Sequence, residues 1–211
     1  MKKSMQKLYF DILSEDQKKA FLDLKVFSKY GVLAGGTALA LQLGHRKSYD
    51  FDIFCPKPIT KKLLFEVKKY FKKIQILVDS RDELSFISPV GIKISFVFYP
   101  FKNLYKPIVT ENTKIVFWKD IALDKAHTIG RRGQWRDYVD LYFIVQFGFP
   151  LKGIVRGAKK KFGDLFSEKL FLSQLSYFGD IKEFSVDVLT EEIKPQKLQK
   201  FFEEKISQFP L

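Results

Sequence analysis

Between Leu33 and Phe54 the chain sets out two kinds of residue that together suit chemistry on a phosphorylated substrate. A short apolar run, Gly31-Val-Leu-Ala34, feeds into Gly35-Gly36, where a backbone without Cβ atoms lets N–H groups approach a ligand closely. After this tight turn Thr37 opens a predicted helix, residues 37–43, closed by Gly44. A helix N-terminus is a ready phosphate site. Asp50 and Asp52 then alternate in a predicted strand, residues 49–54, so both carboxylates leave one face. At the backbone they lie about 6–7 Å apart, close enough to converge on a magnesium ion and the phosphates of a nucleotide. A phosphate-cradling turn beside a carboxylate pair is what phosphoryl or nucleotidyl transfer requires. Each piece alone has a plainer reading, the Gly-Gly-Thr as an ordinary turn and the Asp-x-Asp as a solvated strand face.

Elements on both sides must hold these residues. Ser14 with Gln17 reads as a capping box, followed by Ala20, Phe21, Leu24 and Phe27 at helical spacing. Thr60 is expected to cap another helix, with Leu63, Leu64, Val67, Tyr70 and Phe71 inward and Lys61, Lys62, Lys68, Lys69, Lys72 and Lys73 outward. Strands are expected over 74–78, 84–88 and 91–99, the last two joined by a Pro89-Val90 turn. A polar linker around 110–113 precedes a change to helical period, with helices over 119–129 and 135–147, then near 151–162, 168–177 and 196–207. The expected architecture is α/β (α+β). A small mixed-sheet domain, residues 1–118, carries the N-terminal helix, and a helical domain, residues 119–211, follows it.

Composition narrows the partner. The 211 residues hold 37 Lys and Arg against 24 Asp and Glu, a net charge of +13. Nucleic acid is the first candidate partner and an acidic protein the second. With 46% hydrophobic residues the chain is neither intrinsically disordered nor collagen-like. One cysteine, Cys55, excludes an internal disulfide and suggests a reducing, cytoplasmic setting. No apolar run reaches the roughly 18 residues of a membrane span, so no membrane partner is expected. Basic clusters lie on the 60–73 helix, at Arg131, Arg132 and Arg136, and at Arg156 with residues 159–161. His127 reads as structural, and no His/Cys cluster suggests zinc. The 23 phenylalanines read as core.

The run GGTALALQLGHRKSYDFDIF resembles the Gly-Gly-Ser/Thr … His-Arg-x-Ser-x-Asp-x-Asp signature of the AbiEii/AbiGii toxin-type nucleotidyltransferases, MenT toxins included, in the polymerase-beta-like superfamily. Further on, the segment from Asp120 to Phe143 resembles that family's Lys … Arg … Arg-Asp-Tyr-x-Asp-Leu block, so the resemblance spans roughly residues 30–145. It implies that Gly35, Gly36 and Thr37 cradle a triphosphate while Asp50 and Asp52 hold Mg²⁺ (or Mn²⁺) against it. Lys125 would contact the nucleotide phosphates and Asp140 would be the distal acidic residue at the same site, both contributed to the cleft by the helical domain. Arg46 and Ser48 belong to the signature, Arg46 within reach of a phosphate and Ser48 as a turn cap; His45 belongs without a defined job. Read without the resemblance, Lys125 is a surface lysine, and Asp137 and Asp140 form structural pairs with Arg132 or Arg136. The resemblance favours Asp140 for the site and leaves Asp137 structural.

The superfamily usually carries a third carboxylate on a neighbouring strand, and the equivalents here are Lys93 or Ser95. That leaves the number of metals and the base open. The implied activity moves a nucleoside monophosphate from an NTP to an acceptor hydroxyl, with a tRNA 3′ end as acceptor. The implied setting is a toxin restrained by a cognate antitoxin. The competing readings are transfer to a protein side chain and a catalytically silent module that binds nucleic acid or antitoxin.

Overall fold

Ser14 begins the first helix through the reciprocal bonds that its sequence foretells. Its hydroxyl accepts from the Gln17 N–H at 3.2 Å, and the Gln17 side chain accepts from the Ser14 N–H at 3.1 Å. The computed structural model describes residues 7–190 and 193–209, which divide into two units. The first runs to Lys102 and resumes over Lys106–Phe117; the second takes Asn103–Tyr105 and continues from Trp118.

In the first unit a 3₁₀ turn, Phe10–Ile12, precedes α1 (Glu15–Phe27), β1 (Val32–Ala34), α2 (Gly35–Leu43), β2 (Phe51–Cys55) and α3 (Lys61–Phe71). Then come β3 (Gln75–Asp79), β4 (Glu83–Ile87), β5 (Lys93–Phe98), β6 (Ile108–Val109) and β7 (Lys114–Ile115). The strands form one mixed sheet in the order β3-β4-β5-β2-β1-β7-β6. β2 runs antiparallel to β1 and parallel to β5. The polar segment expected as a linker at 110–113 is instead the turn of the β6–β7 hairpin. Thr110 closes it, donating its N–H to the Thr113 carbonyl at 3.0 Å and accepting the Thr113 N–H on its hydroxyl at 3.1 Å. A polar tetrapeptide between very short strands carries no period by which a reader could tell the two apart.

Phenylalanine builds the core beneath this sheet. Phe27 of α1 lies against Phe71 of α3 and Phe96 of β5, each at 5.7 Å between ring centres, and Phe86 joins Phe71 at 5.5 Å. Phe51, Phe86 and Phe96 are fully buried. They alternate with outward residues along their strands, so the opposite face of the sheet keeps Asp52, Ser95 and Ser85. On α3 the apolar side is narrower than its sequence suggests. Leu63, Val67 and Phe71 are buried, Tyr70 is exposed and donates to Asp23, and Thr60 stands at the N-cap without a side-chain bond. The Cys55 thiol is buried, which pushes its pKa up to about 12 and leaves it protonated and unreactive.

The second unit is helical: α4 (Trp118–Ile129), α5 (Trp135–Gln146), α6 (Leu151–Phe162), the 3₁₀ turn Gly163–Leu165, α7 (Glu168–Leu175) and α8 (Pro195–Ile206). No single helix is long and apolar enough to cross a membrane. Lys161 does not belong to the basic patch in which its sequence neighbours place it. It is buried with its ammonium 3.2 Å from Asp120 and 2.5 Å from Asp124. Asp120 also accepts the N–H groups of Leu104 and Tyr105 at 2.9 and 2.8 Å, tying that tripeptide to α4. His127 stacks on Phe162 at 4.2 Å. Burial first, then Arg131 and Lys161, lowers its pKa below the ordinary 6.5. The fold therefore favours neutral His127, and the unfolded chain binds the extra proton. The stability this contributes is complete above 6.5 and drains as pH falls from there towards the lowered value. Denaturant unfolding of wild type against His127→Phe, which keeps a ring on Phe162, should show the steeper loss in wild type between about pH 7 and pH 5.

Candidate active site on the sheet and its helical counterpart

The turn out of β1 happens at Gly35 itself. Helix α2 begins there, two residues before the expected start at Thr37, and Gly35 takes φ +67°, a conformation that side chains rarely adopt. The reason for glycine is spatial as well. A Cβ on Gly35 would stand 2.5 Å from Asp52 Oδ2, and one on Gly36 would stand 2.6 Å from the Arg46 guanidinium. The carboxylate and the guanidinium thus press against the first turn of α2, whose N-cap, Ala34, offers no capping side chain. N–H groups at such a helix start attract anions.

Three side chains fix the loop from His45 to Asp50. The buried Thr37 hydroxyl donates to the Asp50 carbonyl and accepts from the Ser48 hydroxyl at 2.9 Å. Gln17 donates its amide to the Ser48 carbonyl at 2.6 Å, and Arg46, also buried, donates to the Lys47 carbonyl at 2.8 Å. The Thr37 hydroxyl thus holds the loop, while its N–H belongs to the first turn of α2. Asp50 precedes β2, which starts at Phe51 and ends at Cys55, two residues later than expected at its start. Asp52 pairs with Ala34 on one side and Ser95 on the other. Both aspartates are half-buried.

The register decides between the two candidates for the superfamily's third acid position. Ser95 lies directly opposite Asp52, and Lys93 lies one step along the same face. Ser95 is linked to the Ser85 hydroxyl at 2.8 Å, and Ser85 donates to the Glu83 carboxylate. Because Ser85 spends its proton on Glu83, Ser95 must donate to Ser85. A chain of hydroxyls therefore leads from beside Asp52 to a carboxylate on β4. Glu83 is a residue that motif reading misses. Counting pairs outward from the Ser88–Gly91 turn would have found it, since that turn sets Ser85 opposite Ser95.

In the second unit the resemblance-derived residues meet one another. The Lys125 ammonium lies 2.8 Å from Asp137 and 2.6 Å from Asp140, and all three side chains are nearly or fully buried. Asp137 also accepts the Gln134 N–H at 3.3 Å, at the start of α5. The structural partner of Asp137 is thus Lys125 rather than Arg132 or Arg136, which are exposed. Removing one member of a buried ion cluster typically costs about 3–5 kcal/mol.

Among the described residues no group of three or more His, Cys, Asp or Glu side chains could hold a metal alone. The Asp50–Asp52 pair nevertheless fits Mg²⁺, which commonly takes one or two carboxylates and completes its shell with phosphate oxygens and water. The space that a Gly35 Cβ would fill keeps the Asp52 carboxylate beside the helix start where such phosphates would lie.

No family model matches the chain. Its fold is that of the MenT-type nucleotidyltransferases. MenT4, a nucleotidyltransferase toxin of Mycobacterium tuberculosis H37Rv, is similar at 16% identity, covering 92% of this chain and 83% of that one, with a TM-score of 0.63. An H. pylori protein provisionally named a nucleotidyltransferase is similar at 20% identity, covering 93% and 97% of the two chains, with a TM-score of 0.56. The uncharacterized protein aq_aa25 of Aquifex aeolicus (strain VF5) is 34% identical over 184 residues, 84% of this chain and 86% of its own. The chain belongs to the same family as aq_aa25.

Gly35→Ala tests the close approach. The left-handed backbone costs a non-glycine residue about 1–2 kcal/mol, and the new methyl must displace the Asp52 carboxylate. Thermal unfolding should register only that modest loss, while metal-dependent nucleotide binding, read by calorimetry, falls at least tenfold.

Proposed function

We propose that the protein is a Mg²⁺-dependent nucleotidyltransferase that moves a nucleoside monophosphate from an NTP to the hydroxyl of an RNA end. The observation that carries this reading is the Asp52 carboxylate held against the Gly35 helix start, with Asp50 two residues before it and its carbonyl fixed by Thr37. The α2 terminus and Arg46 would take the triphosphate. Asp50 and Asp52 would hold Mg²⁺, which when bound neutralises charge developing on the phosphates.

The acceptor oxygen attacks the α-phosphorus in line, and the bond to the bridging oxygen of pyrophosphate breaks. The acceptor's proton passes to Ser95 as Ser95 gives its own to Ser85 and Ser85 gives its own to Glu83. Half-buried Glu83 can release the proton to solvent. Lys125 and Asp140 are proposed as further requirements for transfer, and the resemblance supports tRNA as acceptor and a toxin role opposed by an antitoxin.

Incubation with labelled NTPs, Mg²⁺ or Mn²⁺ and total RNA is the test. Label should appear on RNA, fall at least a hundredfold in Asp50→Asn and Asp52→Asn, and fall in Lys125→Met and Asp140→Asn. Label on protein would point to a side-chain acceptor. Nucleotide binding without any label would point to a silent binding module.

A further inference from the structure

Helix α3 ends in a strained turn that borders a groove. Lys72 has φ +56° and ψ −49°, the one positive-φ residue other than glycine among the described residues. The Lys73 N–H closes back on the Phe71 carbonyl, so Lys72 is the centre of a γ-turn of the rare, strained kind. Strain of this order, about 1–3 kcal/mol, persists where the surrounding structure requires it. The turn gives Lys72 and Lys73 to the lining of a groove of about 410 Å³, with Ile74, Gln75, Ile87 and Ser88 as its other lining residues.

The groove is aligned with the aspartate pair. Gln75 pairs with Ile87, and Ile87 pairs with Lys93. Asp50 immediately precedes Phe51, which pairs with Ile94 next to Lys93, so the row points towards it. Three strand spacings, about 14 Å in all, separate Asp50 from Gln75, and half-buried Lys93 lies between them. A few nucleotides of single strand can span that distance.

Beyond the groove, Lys62, Phe65 and Lys69 follow one another at helical spacing on the outer side of α3, and Lys72 stands just past its end. All are exposed, Phe65 to 68%. The one acid of the helix, Glu66, is held by Lys29 at 2.8 Å. Lysines spaced by an exposed ring suit phosphates alternating with a base that stacks. A membrane would need a broader apolar face, and α3 has buried its own against the sheet.

Extending the proposed function, on which it rests, we infer that the Lys72–Lys73 groove binds the single-stranded RNA segment leading to the acceptor end. The two ammonium groups take backbone phosphates, the isoleucines flank a base, and the Gln75 amide addresses its edge. The α3 stripe carries the strand onward.

Fluorescence anisotropy without NTP reads this apart from catalysis. The probes are an RNA hairpin with a single-stranded 3′ overhang, the same hairpin blunt, and a polyglutamate peptide. Wild type should prefer the overhang, and Lys72→Gly and Lys73→Ala should each raise its Kd about tenfold and erase the preference. Each should also reduce the salt slope by about one. Lys72→Gly relieves the backbone strain, so its melting temperature should hold or rise, separating lost binding from lost folding. Unchanged overhang binding in both variants would overturn the inference. So would polyglutamate binding as tightly and with the same sensitivity, since that assigns the groove to an acidic protein. Intact, groove-dependent binding alongside absent RNA labelling would strike the catalytic reading alone.

Discussion

The site depends on an atom that is missing. Where β1 becomes α2, the Asp52 carboxylate occupies the space that any side chain at Gly35 would take. That contact sets two conditions at once, a positive-φ turn and an acidic group beside a helix start. The same contact brings the carboxylate of β2 and the N–H groups of the first turn of α2 to one end of the sheet.

Around this contact the unit is divided by the sheet. One face is an aromatic layer in which Phe27, Phe71, Phe86 and Phe96 lock α1 and α3 in place. The other face keeps a polar row, Asp52, Ser95 and Ser85, that could not survive inside such a layer unpaired. The phenylalanines thus fill one side of the sheet and leave the other polar. The second unit solves a related problem with ions. Lys125 with Asp137 and Asp140, and Lys161 with Asp120 and Asp124, join neighbouring helices through buried charge. Such clusters cost more to break than they contribute when whole, which favours one helix register over others.

Much of this was legible in the chain. The capping box and the Gly-Gly turn each have a local cause, and local causes leave marks in sequence, whereas Asp50 falls one residue short of the strand that its alternation with Asp52 predicts. What escaped was set by distant partners. The Thr37 hydroxyl holds the Asp50 carbonyl and Ser48, contacts that no local pattern announces. Lys161 looks like part of a basic patch until Asp120 and Asp124 are brought to it. Glu83 carries no motif and matters only through a hairpin register. Lys72 is one of six lysines between residues 61 and 73, and only the backbone torsion sets it apart.

On the proposed function, the two aspartates and the helix start form one site for a metal-bound triphosphate. Isothermal titration of an NTP into the protein, with Mg²⁺ and with the metal chelated, measures that most directly. Binding should need the metal and drop at least tenfold in Asp52→Asn. Equal NTP affinity with and without metal, or in wild type and Asp52→Asn, would contradict it.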